Sequence, residues 1–392
     1  MDENAIVAGG GEHDFMTVRH LVLRGSQEEI GRALAEEARA RAGWRPTATD
    51  PVINRARRTW FERNWPQHHA RLSGVAAAFG ADPGDDALRL DGLATLPAGS
   101  GCSAVWCPPG RAADGRGRLG RNYDFFTLSA ADLVAVFGGA APSGTGLPMA
   151  SRPYVVTLVP DDGPASTALT MSELDGCMEG VNESGLAVAL LLSDVAGTEP
   201  PSGPPVPQAG LGVTQVPRFL LDTCHDVEEA KQALLGAKQY SEGVPCHYLI
   251  ADASGRAFVW ERGTDDSEHI IEAADGGPLC VTNHPLHRHP DATRLPEDTP
   301  GSFRTYERAR TLAGLTAGPL SPGDLRRALD AVSMPAAPEE PWRTLWRTVL
   351  DPLGRTMTVR FYLGDGPHGT VRHSPEVSFG AGRDGAEPPR SP

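Results

Sequence analysis

Gly101-Cys102-Ser103-Ala104-Val105-Trp106, the turn-rich PPGRAADGRG of residues 108–117, and then Gly120-Arg121-Asn122-Tyr123-Asp124-Phe125 form the most informative stretch of the chain. Apolar runs bounded by Gly and Pro predict two strands here, 102–107 and 118–125, joined by a loop. A thiol opens the first strand, and an arginine, an asparagine and an aspartate ride on the second. A cation beside a thiol stabilises the thiolate against an ordinary pKa of about 8.5, and Arg121 supplies one if the two strands pair. Arg121 and Asp124 are three positions apart, so a regular strand points them to opposite faces. Only a strand end or a bulge lets both reach the same cysteine. The residues alone leave Cys102 open between a nucleophile and a core cysteine on a buried strand.

Working outward, residues 1 to about 100 read as mostly helical. Ser26-Gln27-Glu28-Glu29 is a capping box ahead of Ile30, Ala33, Leu34 and Ala38 at helical spacing. Further helices are predicted near 52–64 and 67–79, separated by Pro66 and ended by Gly80. Beyond the opening stretch, strands are predicted at 153–159, 166–172, 185–192, 247–252, 256–262 and 356–363. Helical blocks fall at 216–236 and 303–333, the second containing Ser321-Pro322-Gly323-Asp324 as a helix start. Such a mixture argues an α+β layered architecture with sheets covered by helices. Residues 197–212, GTEPPSGPPVPQAGLG, read as a long surface loop, and the tail from about 380 as disordered.

Composition narrows the function. The 392 residues are 40% hydrophobic, enough for a sizeable core, and carry a formal net charge of −14. Such a surface repels phosphate backbones and anionic lipid heads, which excludes nucleic acid and membrane partners. No apolar run approaches the roughly 20 residues that span a bilayer, and the acidic start MDENAIVAGGGEHDF lacks the features of a secretory signal. The expectation is a soluble, cytoplasmic protein. Cysteines 102, 107, 177, 224, 246 and 280 make neither a disulfide scaffold nor a zinc pattern and read as reduced and mostly buried. Lysine occurs only at 231 and 238, which fits a high-GC bacterial genome and a role in secondary metabolism.

Gly101-Cys102-Ser103, the Arg121 to Phe125 strand, Gly180-Val181-Asn182-Glu183-Ser184-Gly185-Leu186 and Thr282-Asn283-His284 together resemble the isopenicillin N acyltransferase family. That family is a branch of the cysteine N-terminal nucleophile hydrolases, with penicillin V acylase and choloylglycine hydrolase. The similarity runs from about residue 20 to about 365 and includes His247 to Asp252 and Thr344 to Asp351. It implies a four-layer αββα sandwich made as an inactive precursor. The Cys102 thiol would attack the carbonyl of Gly101, releasing a helical pro-segment (1–101) from a catalytic segment (102–379), with a tail at 380–392. A glycine before the cysteine leaves the attacked carbonyl unhindered and tolerates unusual backbone angles. The freed α-amine, with a pKa of about 7.7–8.0, becomes the base for the thiol.

By the same resemblance Asp124 holds that amine, Arg121 lowers the thiol pKa or orients the acyl group, and Asn283 polarises the oxyanion through its side-chain N–H. Arg304 matches a late arginine that supports the site, with Arg308 one helical turn on. The implied reaction is acyl transfer through a Cys102 thioester, from an amide or acyl thioester to water or an amine, without cofactor or metal. The two segments are expected to stay associated. Asn182 reads as a hairpin residue. In choloylglycine hydrolases an oxyanion asparagine follows this hairpin, but here the position is Leu192, a departure that weakens a bile-salt hydrolase reading. Gly115-x-Gly117-x-x-Gly120 precedes a strand and so lacks the helix that phosphate binding needs. His284, His287 and His289 lack the pattern of a tetrahedral site. Two rivals remain: an uncut binding or scaffold protein, and a cysteine hydrolase using His284 or His247 as base.

Overall fold

Ser26 accepts a hydrogen bond from the N–H of Glu29, whose side chain reaches back to Ser26, so the predicted capping box starts the first helix. The computed structural model describes residues 3–92, 101–171, 176–194, 197, 209–237, 239, 245–263, 267–273, 276–335, 337 and 340–383. The N-terminal part runs β1 (Glu3–Gly9), β2 (Thr17–Gly25), α1 (Gln27–Ala42), β3 (Thr47–Ala48), α2 (Pro51–Asn64), α3 (Pro66–Phe79) and β4 (Leu88–Arg89). Three helices match the reading, and β1 and β2 add two strands to a segment read as mostly helical. They are two strands of the main sheet, with β2 lying parallel to a strand far along the chain. Helices α1 and α3 cross at two glycines. A Cβ on Gly31 would collide with the Arg71 carbonyl, and one on Gly74 with that of Glu28, so only glycine allows this approach.

The chain continues through β5 (Gly101–Cys107), β6 (Arg118–Phe126), α4 (Ala130–Phe137), β7 (Tyr154–Pro160), β8 (Ser166–Thr170), β9 (Glu179–Asn182), β10 (Ala187–Leu192), α5 (Gln215–Thr223) and α6 (Val227–Gly236). It ends with β11 (Cys246–Ala251), β12 (Ala257–Arg262), β13 (Glu268–Ile271), β14 (Leu279–Val281), α7 (Thr305–Leu315), α8 (Pro322–Ala331), β15 (Trp342–Asp351), β16 (Thr356–Asp365), β17 (Val371–His373) and β18 (Val377–Gly380). The block predicted at 216–236 divides into α5 and α6 because Asp226 caps a new helix through the N–H groups of Glu228 and Glu229. The block at 303–333 divides into α7 and α8, with Ser321 capping the second as expected.

Among the described residues a nine-stranded sheet has the order β1-β2-β7-β8-β9-β10-β11-β12-β13, and a second sheet the order β14-β5-β6-β15-β16-β17, with β18 also on β16. Strands β5 and β10 meet across the two sheets, as do β9 and β15, so one face of each is turned to the other. Helices α5 and α6 pack on β9 to β11, and α7 and α8 on β14, β5 and β6. Alternation along β5 sorts its side chains accordingly. Cys102, Ala104 and Trp106 join the main core, whereas Val105 packs with Leu325 and Leu329 of α8.

Asn182 does what a hairpin residue does. Its Oδ1 accepts the N–H groups of Ser184 and Leu186, while Nδ2 ties the turn to the carbonyls of Leu221 and Cys224. The Gly115 to Gly120 stretch leads into β6, not into a helix. All six cysteines are free, and five are buried. The first residues of the stretch read as a tail from about 380 are packed against the fold. Ala381 is buried and Arg383 donates to the carbonyls of Pro160 and Gly163, while 384–392 lie outside the described residues. Most of the loop read at 197–212 also lies outside them. No helix among the described residues is long and apolar enough to cross a membrane.

Candidate active site

Strands β5 and β6 pair antiparallel, setting Gly101 opposite Asp124, Cys102 opposite Tyr123, Ser103 opposite Asn122 and Ala104 opposite Arg121. Paired residues share a face, so Cys102 and Arg121 project between the sheets while Gly101 and Asp124 face the helices α7 and α8. The sequence argument that Arg121 and Asp124 point apart therefore holds. The Gly101–Cys102 peptide joins the two faces, and each residue serves its own side of it.

On the face between the sheets, Arg121 Nη2 lies 3.4 Å from Cys102 Sγ. Its Nη1 pairs with Glu179 of β9, both fully buried, and its guanidinium stands over the Tyr123 ring at 4.9 Å. Glu179 also accepts from Trp346 Nε1 at 2.6 Å and Thr348 Oγ1 at 2.8 Å. Burial pushes the Cys102 thiol pKa up, Arg121 opposes and Asp124 adds to the rise, and the net direction is up. Arg121 thus acts in the expected direction, but burial outweighs it: that guanidinium is paired with Glu179, and the sulfur is only 2% exposed.

On the helix face, Asp124 Oδ1 accepts from Thr344 Oγ1 at 2.5 Å. Its Oδ2 is buried without a hydrogen-bond partner among the described residues, 3.7 Å from Arg308 Nη1. Burial raises the Asp124 pKa to about 6, against the pull of Arg308, Thr344 and Arg121. A bulge makes both faces work. The β15 register on β6 shifts between Thr344, opposite Asp124, and Trp346, opposite Tyr123. The extra residue, Leu345, turns Thr344 toward Asp124 and Trp346 toward Glu179, although two residues apart they would otherwise share a face.

At the free edge of β5, beyond its pairing with β14, Asn283 meets the cysteine backbone. Its Oδ1 accepts the Cys102 N–H at 2.7 Å and Arg308 Nη2 at 2.9 Å, and its Nδ2 donates to the Leu192 carbonyl at 2.9 Å. Two donors on one side and a carbonyl on the other fix the amide this way round. Asn283 thus lies beside Cys102: its Oδ1 takes the Cys102 N–H, and its Nδ2, the group expected to polarise the oxyanion, is bound to the Leu192 carbonyl. Leu192, flagged as a departure, takes part through its backbone.

Arg304 does not join them. Phe303 and Arg304 both adopt left-handed backbone (φ 51° and 57°), and Arg304 caps α7 from outside, paired with Glu307 and 44% exposed. One turn on, Arg308 is buried and donates to the Cys102 carbonyl at 2.5 Å, to Ser103 Oγ at 2.7 Å and to the Phe303 carbonyl at 3.1 Å. Sequence reasoning named Arg308 only as a neighbour, and it missed Glu179, Thr344 and Thr305. Gly101 is also corrected in detail: it lies in the extended strand, and a Cβ there would stand 3.4 Å from Asp124 Cβ and Met334 Cε. The rival bases are engaged elsewhere. His284 faces the hydroxyls of Thr282 and Thr305, with burial lowering its pKa to about 3, and His247 is held by Glu261.

The profile of the acyl-coenzyme A:6-aminopenicillanic acid acyl-transferase family matches residues 111–309, a span that holds Arg121, Asp124, Glu179, Asn283 and Arg308 and begins after Cys102. No curated protein matches the chain. Solved structures similar to it include a mutant conjugated bile acid hydrolase from Clostridium perfringens (16% identity, 70% of this chain and 92% of that one, TM-score 0.44). Penicillin V acylase from Agrobacterium tumefaciens is another (17% identity, 69% and 85%, TM-score 0.42). A third is the Caenorhabditis elegans ortholog of N-acylethanolamine-hydrolyzing acid amidase (14% identity, 70% and 100%, TM-score 0.38). With a profile matching half of its length, the chain belongs to the acyl-coenzyme A:6-aminopenicillanic acid acyl-transferase family, a family of acyl-transfer enzymes.

Proposed function

We propose that the chain cuts itself between Gly101 and Cys102, and that Cys102, then an N-terminal residue, carries acyl groups as a thioester. One observation supports this above all: three buried groups converge on a single residue, Cys102, with Asn283 on its N–H, Arg308 on its carbonyl and Arg121 on its thiol. A core cysteine needs none of them. In the cut, Sγ adds to the Gly101 carbonyl carbon, the C–N bond breaks and the thiol proton passes to nitrogen. Water then hydrolyses the thioester, restoring the thiol and leaving Gly101 as a carboxylate. The unpartnered Asp124 Oδ2 suits the amine so formed, and Asn283 Oδ1 already accepts from that nitrogen.

In the mature enzyme the amine takes the thiol proton as sulfur attacks an amide or acyl thioester carbonyl, and returns it to the leaving group. Water or an amine resolves the acyl-enzyme. The paired sheets with helices on both sheets are read as the four-layer αββα arrangement, and residues 1–101 as a segment that stays bound after the cut.

Intact mass of purified protein tests this. Two chains are expected, the second opening Cys-Ser-Ala-Val-Trp on N-terminal sequencing, and Cys102→Ala is expected to remain one full-length chain. Amidase activity from an uncut chain would sink the proposal. Hydrolase and transferase separate by product partition: a hydrolysis yield unchanged by added amine acceptors speaks against transfer.

A further inference from the structure

We propose that a buried pair, His247 and Glu261, positions Asn283 and through it the Gly101–Cys102 peptide, a role that rests on the self-cleavage reading above. The two residues are register partners on β11 and β12, and neither is more than 1% exposed. His247 Nε2 lies 2.5 Å from Glu261 Oε2, and its Nδ1 lies 3.2 Å from the Thr282 carbonyl. Both neighbours are acceptors, so each ring nitrogen is placed to donate to one of them. Glu261 also accepts the backbone N–H of Leu286 at 2.6 Å, that of His287 at 3.2 Å, and His287 Nδ1. Burial works to raise the Glu261 pKa, but the hydrogen bond and charge of His247, followed by the bonds from His287 and Leu286, bring it down to about 2.

Thr282 on one side and Leu286 and His287 on the other bracket Asn283. The pair thus grips both flanks of the residue whose Oδ1 holds the Cys102 N–H. From α7, Thr305 Oγ1 accepts the Asn283 N–H at 2.8 Å and completes the clamp. A carboxylate with four donors cannot be replaced by an amide without turning an N–H toward another N–H, so Glu261→Gln disturbs the grip while keeping the shape. The same cluster is poorly built for a metal. Ligand atoms of Glu261, His269 and His287 lie within 4.8 Å of one another, but the two rings stack at 4.0 Å and 8°. Their in-plane lone pairs run parallel and do not converge on one ion.

The test measures the rate of conversion to two chains by intact mass, beside thermal stability, for wild type, Glu261→Gln, His247→Gln and Gly31→Ala. Gly31 lies far along the chain from the clamp and serves as the control for lost stability. A positioning role predicts that Glu261→Gln and His247→Gln convert at least about 10-fold more slowly, and more slowly than Gly31→Ala at matched loss of Tm. Conversion that merely tracks Tm, or matches wild type, overturns the proposal. Should the core variants fail to fold, wild-type protein labelled with 15N-histidine decides. The His247 ring, assigned by nuclear Overhauser contacts, is expected to carry protons on both nitrogens, and a bare nitrogen overturns the assignment. A wild-type chain that never cuts refutes self-cleavage itself, whereas a cutting wild type with equally fast variants refutes only the clamp.

Discussion

Asp124 is a carboxylate kept without water, and its pKa of about 6 gives the site a pH handle. Only the ionised form can accept a proton or hold an ammonium, and that form is lost as the pH falls through about 6. Precursor conversion, followed by intact mass, is therefore expected to rise from about pH 5 to about pH 7, and Asp124→Asn is expected to be slow throughout with no such limb. The two arginines make a second contrast. Arg308→Met removes donors from the Cys102 carbonyl and Asn283 and is expected to slow conversion about 100-fold or more. Arg304→Ala loses an exposed pair with Glu307 and a minor share of the positive field at Asp124, and is expected to leave stability within about 0.5 kcal/mol by urea titration and conversion close to wild type. The choice between them was not legible in the sequence because it depends on where α7 begins, and two left-handed residues delay that start until Thr305. Cys102 and Arg121 stood out as a thiol and a cation on neighbouring predicted strands, whereas the parts given to Asp124 and Asn283 came from the family resemblance. Glu179 was not legible: alternation tells which face a residue takes, never which side chain will cross from the other sheet to meet it.

At the level of elements, close approach makes a sharper prediction than propensity. Alanine is the better helix former, yet Gly31→Ala drives a methyl into the Arg71 backbone where α1 crosses α3. A loss of about 1–3 kcal/mol is expected in urea unfolding, whereas Gly110→Ala, with open space around it, is expected to cost under about 0.5 kcal/mol. Helix starts with strong caps were readable almost to the residue, as Ser26 and Ser321 show. Strand β15 was seen only as part of a resemblance, because the extra Leu345 breaks the period-two pattern that reveals strands. Strands β1 and β2 were missed for another reason. Strand β2 is held by β7, about 130 residues away, and β1 in turn lies only on β2, so no local window contains the partner that anchors them.

The whole molecule is sewn together across the proposed cut. Strand β2 lies along β7 from Arg19–Tyr154 to Gly25–Pro160, and Arg71 with Trp65 Nε1 engages Asp222 of α5. Gln215 of α5 also reaches across to Asp91, which is paired with Arg57 within the N-terminal piece, so the buried ion pair that spans the cut is Arg71–Asp222. Removing one member of such a buried pair costs about 3–5 kcal/mol, so the pieces have strong reason to stay joined. After conversion the two chains are expected to elute as one species in size-exclusion chromatography and to separate only in denaturant. That parallel seam carries a kinetic cost as well. A single connected polypeptide finds its own β2 at a fixed effective concentration, but two severed pieces must find each other in bulk solvent. Recovery from denaturation should thus turn from first order to second order once scission is complete, and dilute mature enzyme, unlike its precursor, would have no easy way back.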